Sequence, residues 1–161
     1  GQVIWEGTNI SEGRGTTMPF ELCGAPFFNH RDILARLPGI ADTPGCILRP
    51  VVFEPTANKW RGQACTGFQI HVTDQKEYKP FRTSLALLQA FLTLYPGDFR
   101  YKDPPYEYEF EKLPMDMILG DASLRPALEK QADLMELEQH WQHDLQEYDS
   151  RRREFFLYES A

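Results

Sequence analysis

The 161-residue chain is short of cysteine, of basic residues and of long apolar runs, and each shortage removes a class of protein. Cys23, Cys46 and Cys65 are an odd number with no CxxC spacing, which argues against a zinc ribbon and a full disulfide framework. Lys and Arg number 17 against 24 Asp and Glu, a net charge of -7 with no dense basic stripe, so nucleic acid is not the expected partner. The longest apolar run, Leu85 to Tyr95, is interrupted by Gln89 and Thr93 and is about half of the ~20 residues that cross a bilayer, so no membrane span is expected. No Lys-Ser/Thr follows the glycine-rich stretch near the start, and no GxGxxG turn leads into a helix, which sets nucleotide binding aside. No internal repeat is visible. The chain opens on Gly1 and a strand-like QVIW rather than on the charged and apolar regions of a signal peptide, the start expected of a piece cut from a longer protein.

What is present suits one compact domain over residues 1–161, with 42% hydrophobic residues available for a core. Val3–Trp5 reads as a short buried strand that stops at Glu6-Gly7, and Phe20 to Phe28 as a second extended piece. Asn29 is a good cap for a helix over 31–37 that Pro38-Gly39 ends. Ile47 to Phe53 reads as a strand that Pro50 demotes to an edge or a bulge. In Gly67 to Thr73, Phe68, Ile70 and Val72 alternate with Gln69, His71 and Thr73, which predicts one buried face and one polar face. Leu85, Leu88, Leu92 and Tyr95 mark a helix over 83–95 closed by Pro96-Gly97. Lys102 to Phe110 is Pro- and Tyr-rich and reads as an exposed loop running into an edge strand. A short helix over 114–120 and another capped by Ser123 are expected next. A final helix carries Leu134, Leu137, Trp141, Leu145 and Tyr148 on one face, before a core-like Phe155 to Tyr158. The fold class is therefore α+β, a mixed sheet of three or more strands packed with C-terminal helices.

The stretch WEGTNISEGRGTTMPFE, Trp5 to Glu21, holds the densest chemistry. Its glycines free backbone N–H groups, and Asn9, Ser11, Thr16 and Thr17 add neutral hydrogen-bonding groups, a combination that suits an anion or a sugar. Glu6, Glu12 and Glu21 add carboxylates, and Arg14 adds a planar two-pronged donor. The same residues also suit a plain turn, in which Arg14 pairs with Glu12 or Glu21 and the threonines cap backbone. His71, just before Thr73-Asp74, is a sugar ligand, a proton shuttle or a hydrogen-bonded strand-end residue. Trp60 either stacks on a sugar ring or closes a loop over the core, and Cys65 reads as a buried filler. His140 and His143 have no third ligand at matching spacing, so no metal site and no cofactor are expected.

Two blocks, WEGTNISEGRGTTMPFELCGAPF (Trp5 to Phe27) and RPVVFEPTANKWRGQACTGFQIHVTD (Arg49 to Asp74), resemble the C-terminal part of the NamZ-like exo-β-N-acetylmuramidases, bacterial glycoside hydrolases first catalogued as a conserved family of unknown function. Weaker similarity follows at Phe81 to Pro96 and His140 to Tyr158, so the resemblance covers nearly the whole chain. It implies a two-part enzyme in which an N-terminal Rossmann-like domain and a smaller C-terminal domain enclose a cleft. This chain is similar only to the second. It further implies release of N-acetylmuramic acid from the non-reducing ends of peptidoglycan fragments, in the bacterial cell envelope, periplasmic or secreted. The expected partners are those fragments and the N-terminal domain of the same protein. A key catalytic glutamate is expected in that domain, which would leave the isolated chain inactive.

Under this resemblance Glu12 is the candidate catalytic residue, as partner acid or sugar ligand. Glu6, Asn9, Arg14, Thr16, Thr17, His71 and Asp74 are the candidate substrate-binding residues. Arg14 is expected to meet the lactyl carboxylate that separates muramic acid from glucosamine, and Asn9, Thr16 and Thr17 to bond hydroxyls or the N-acetyl group. Two other readings stay open: a non-catalytic carbohydrate-binding module using the same loop and Trp60, and a dimerising domain with the loop at an interface.

Overall fold

The strongest apolar segment of the sequence becomes the centre of the molecule. In the computed structural model, which describes residues 2–158, helix α2 spans Pro80–Leu94, and every residue from Thr83 to Phe91 is buried. A helix buried all round needs protein on every side. Helix α1 (His30–Arg36) packs on one flank, and α4 (Leu124–Glu129) and α5 (Leu134–Arg152) pack on another. The rings of Trp5 and Phe28 meet Phe91 at centroid distances of 5.4 and 4.3 Å. Gln89, polar inside this core, donates from Nε2 to the Ala132 carbonyl at 2.7 Å, so its burial leaves the amide bonded.

Strands β1 (Leu22–Ala25), β2 (Cys46–Phe53) and β3 (Cys65–Val72) form one sheet in the order β1-β3-β2. With its helices this makes the expected α+β domain. Both pairings are antiparallel, a refinement of the mixed sheet read from the sequence. Pro50 lies on β2, an edge strand, as its missing N–H requires. Gly67 lets β1 and β3 approach: a Cβ there would sit 1.9 Å from the Cys23 carbonyl oxygen.

The start of the chain is a correction. Gln2–Gly7 is a 3-10 helix rather than a strand, with Ile4, Trp5 and Gly7 buried. The sheet edge that a strand here would need is taken, because Ser11 and Gly24 exchange backbone hydrogen bonds of 2.9 and 3.0 Å. The short helix packs instead on α3 (Pro114–Leu119), whose backbone at Met115 comes within 3.1 Å of where a Gly7 Cβ would stand.

Three other expectations shift. The β3 alternation holds for Phe68 and Ile70, but Val72 is 46% exposed and Gln69 only 3%. The cause is that β3 is the central strand, covered in its middle on the second face by the Met18–Glu21 segment and open at its end. No edge strand follows Lys102; 101–110 is loop with isolated bridges from Tyr101 to Thr8 and between Tyr106 and Glu109. On α5, Leu134 and Leu137 are buried and Trp141 packs on Phe81 at 5.6 Å, yet Leu145 and Tyr148 are exposed. At about 1.5 Å per residue the 19-residue helix outruns the surface it packs on. Phe155 to Tyr158 are likewise exposed rather than core.

Candidate functional site

The glycine-rich stretch emerges from the 3-10 helix as a loop that is sewn into the domain. Asn9 is its first anchor: Nδ2 donates to the Asp98 carbonyl at 2.9 Å, and Oδ1 accepts from the Arg100 N–H at 3.0 Å. Trp60 Nε1 donates to the Asn9 carbonyl at 2.6 Å, so the indole closes a loop over this segment. Gly15 sits at φ +80, and a Cβ there would be 2.3 Å from Thr56 Oγ1, which is how closely the 54–62 loop is pressed onto it. Asn58 and Trp60 both hold φ near +60 (63 and 58), an uncommon conformation for side-chain-bearing residues. Together these constraints aim Lys59 inward.

At the centre is Glu12, 1% exposed. Its Oε1 accepts from Arg14 Nε at 2.6 Å and its Oε2 from Lys59 Nζ at 2.7 Å. Lys59 Nζ also donates to the carbonyls of Trp5 at 2.6 Å and Ile10 at 2.9 Å, so all its protons are placed. Arg14 Nη2 donates to Glu6 Oε1, and the other Glu6 oxygen accepts from the Tyr106 hydroxyl at 2.9 Å. The Arg14 guanidinium also lies 5.0 Å over the Phe20 ring. The result is a chain of alternating charge, Lys59, Glu12, Arg14, Glu6, ended by a phenol.

This arrangement fixes protonation. Burial pushes the Glu12 carboxyl up, but the hydrogen bond and charge of Lys59, with Arg14 adding, outweigh it and hold the group below its ordinary 4.5. Burial pulls Lys59 below its ordinary value, opposed by Glu12. Burial and then the Glu6 carboxylate push Tyr106 up to about 12, which keeps it a proton-bearing donor to Glu6. Glu12 is thus held as a carboxylate at neutral pH, and with its pKa lowered and both oxygens bonded to cations it suits a fixed negative charge, neither the proton donor nor a general base.

The network borders a cavity of about 590 Å³ that Glu6, Asn9, Glu12 and Arg14 line together with Lys59, Tyr101, Lys102 and Tyr106. Four of the eight residues singled out in the sequence therefore meet. The others lie outside its lining. Thr16 Oγ1 donates to the Gly13 carbonyl at 2.6 Å and shapes the turn, and Thr17 is exposed beside it. His71 is exposed on the sheet, its Nε2 3.1 Å from Gln69 Oε1. Asp74 accepts from the N–H groups of Lys76 and Glu77 at 2.8 and 3.3 Å in a turn after β3.

Lys59, Lys102 and Tyr106 were not singled out in the sequence. Lys59 has one pointer in the sequence, its place beside Trp60; Tyr106 has none, since its partner lies 100 residues away. Among the described residues no three His, Cys, Asp or Glu side chains converge to hold a metal ion, and no helix is long and apolar enough to cross a membrane.

An α+β domain with a buried, charge-paired carboxylate beside an open polar cavity has the form of a ligand-binding domain. Comparison with known proteins gives the family. The model of the C-terminal part of exo-beta-N-acetylmuramidase NamZ matches residues 1–158, and the chain belongs to that family. It is 34% identical over 153 residues to the peptidoglycan beta-N-acetylmuramidase NamZ of Bacillus subtilis, covering 95% of this chain and 35% of that one. The chain thus spans about a third of the length of the curated relative it matches. Two crystal structures of DUF1343 family proteins from Bacteroides fragilis share the fold, with TM-scores of 0.74 and 0.57 at 20% and 19% identity. Each match covers 98% of this chain and 39% of the other.

Proposed function

We propose that this domain forms one wall of the substrate cleft of an exo-β-N-acetylmuramidase that releases N-acetylmuramic acid from the non-reducing ends of peptidoglycan fragments in the bacterial envelope. The observation that carries the reading is the ionised Glu12 held between Lys59 and Arg14 beside the open cavity. Glycoside hydrolysis takes a proton-donating acid and a second carboxylate across the glycosidic bond. Glu12 and Glu6 serve on the anionic side here, Glu12 as the fixed charge and Glu6 with Tyr106 facing the sugar. The proton donor then comes from the remainder of the protein, which meets this wall across the cleft. Family membership and the 34% identical muramidase support the assignment.

The test is turnover of a chromogenic β-N-acetylmuramide by the full-length protein, alongside an NMR titration of this domain with N-acetylmuramic acid. Turnover lost in Glu12→Gln, with saturable shifts confined to the cavity residues, is the expected result. Saturable binding to the domain without any turnover by the full-length protein would favour a carbohydrate-binding module. The absence of both binding and turnover would sink the reading.

A further inference from the structure

We infer that the Lys102 ammonium, rather than the Arg14 guanidinium, recognises the carboxylate of the acidic sugar; this rests on the muramidase reading of the cavity. Three cations line the cavity: Arg14, Lys59 and Lys102. Arg14 is spent on two acids, through Nε to Glu12 and Nη2 to Glu6. Lys59 has its three protons on Glu12 and on the carbonyls of Trp5 and Ile10. The Lys102 ammonium instead lies over the Tyr106 ring, 5.2 Å from its centroid, and among the described residues it forms no ion pair. An aromatic face attracts a cation without neutralising it, so Lys102 still offers a full charge and its donors to a ligand.

Its position adds to this. The backbone N–H of Lys102 donates to the Gly7 carbonyl at 2.9 Å, which fixes the base of the side chain beside the end of the 3-10 helix that carries Glu6. Lys59 is close enough for the Lys102 charge to oppose its protonation, and a carboxylate entering beside Lys102 relieves that repulsion. Asp103 and Glu107 lie on the same wall and are exposed, so solvent screens their repulsion of the ligand but does not abolish it. The preference that Lys102 confers is therefore modest, roughly fivefold at low salt.

The experiment is an NMR titration of the domain, at neutral pH and low ionic strength, with N-acetylmuramic acid, its methyl ester and N-acetylglucosamine. The wild type is expected to bind the free acid roughly fivefold tighter than the ester or N-acetylglucosamine, which isolates charge from the bulk of the lactyl group. Lys102→Met keeps the stem against Tyr106 and is expected to bring the acid down to the level of the ester, and Lys102→Arg to restore the preference. A preference that survives Lys102→Met overturns the assignment and leaves the sugar site standing. Equal binding of acid and ester by the wild type also overturns it. A wild type that binds none of the three ligands overturns the assignment, and where the full-length protein also fails to turn over a chromogenic β-N-acetylmuramide the muramidase reading falls with it.

Discussion

Lys59→Met is the substitution that most directly probes how the site is held. The side chain of Lys59 is 18% exposed and that of its partner Glu12 is 2% exposed, so the pair is inside the protein. Removing one member of a buried pair leaves an uncompensated charge and costs about 3–5 kcal/mol. Arg14 remains on the other Glu12 oxygen, which places the expected loss at the lower end, about 3 kcal/mol, with the carbonyls of Trp5 and Ile10 also left without their donor. Glu12→Gln keeps the shape and an acceptor for Lys59 and should cost about 2 kcal/mol. Because the two groups touch, the double variant should fall short of the sum by more than about 1 kcal/mol. Urea unfolding with an unchanged slope measures all three. A Lys59→Met loss under about 1 kcal/mol, or strict additivity, would refute the view that this pair anchors the loop.

The same pair sets a pH dependence. The Glu12 carboxyl is held below its ordinary 4.5, so in the folded state it binds protons less readily than in the unfolded chain. Its contribution is present above pH 4.5 and is lost as pH falls through the lower folded value. In Lys59→Met, burial is no longer offset by the ammonium, and the acid-side loss should begin at higher pH than in the wild type. An unchanged acid limb would mean that Arg14 alone keeps Glu12 ionised.

Three further outcomes are expected. Gly67→Ala places a Cβ 1.9 Å from the Cys23 carbonyl oxygen and 2.6 Å from the Gly24 Cα, both backbone, so β1 and β3 must part; the loss should be about 3 kcal/mol, and one below about 1 kcal/mol would show that the strands tolerate separation. Asp133→Ala removes an N-cap that accepts from the N–H groups of Met135 at 2.7 Å and Glu136 at 3.2 Å, and should lower stability by about 1 kcal/mol, which Asp133→Ser largely restores. Ending the chain after Glu154 removes Phe155, Phe156, Leu157 and Tyr158, which are 78, 46, 89 and 86% exposed; the melting temperature should change by under about 2 °C, and a larger fall would mean that these rings are buried in solution.

The helices were legible because their signals are local. The periodicity of residues 83–95, the Asn29 cap and the Pro-Gly stops report on neighbours in sequence, and α1 and α2 appear in those places, except that α2 begins earlier, at Pro80, and Pro38-Gly39 lies in a 3-10 turn, Leu37–Gly39, that follows α1. The 3-10 start was not legible, since VIW suits a strand equally well and the competitor for the β1 edge, Ser11, lies seven residues further on. The reach of α5 is not legible for a related cause: apolar spacing marks a face, but nothing in it says where the surface beneath the face ends. In the site, Glu6, Asn9, Glu12 and Arg14 were legible as one dense run. Lys59, Lys102 and Tyr106 come from loops 47 to 100 residues away from the acids they join or border, and their convergence is a product of the fold alone.

The cavity wall is almost wholly loop, which raises the question of what keeps it rigid enough to serve a ligand. Loops carry the entropy that regular hydrogen-bond ladders remove elsewhere. Here side chains replace the ladder: Asn9 clamps segment 98–100, Trp60 clamps Asn9, Thr56 Oγ1 donates to the Gly15 carbonyl at 2.7 Å, and Lys59 joins two carbonyls to Glu12. The charges serve this purpose first, since Lys59, Glu12, Arg14 and Glu6 sum to zero and satisfy one another. A site rigidified by neutralised pairs has little net charge of its own, so on the muramidase proposal discrimination for an anionic sugar would fall to a group outside the pairing. That division separates two kinds of variant. Changes at Lys59 or Glu12 should weaken every ligand together by loosening the wall, whereas a change at Lys102 should alter only the distinction between charged and uncharged sugars.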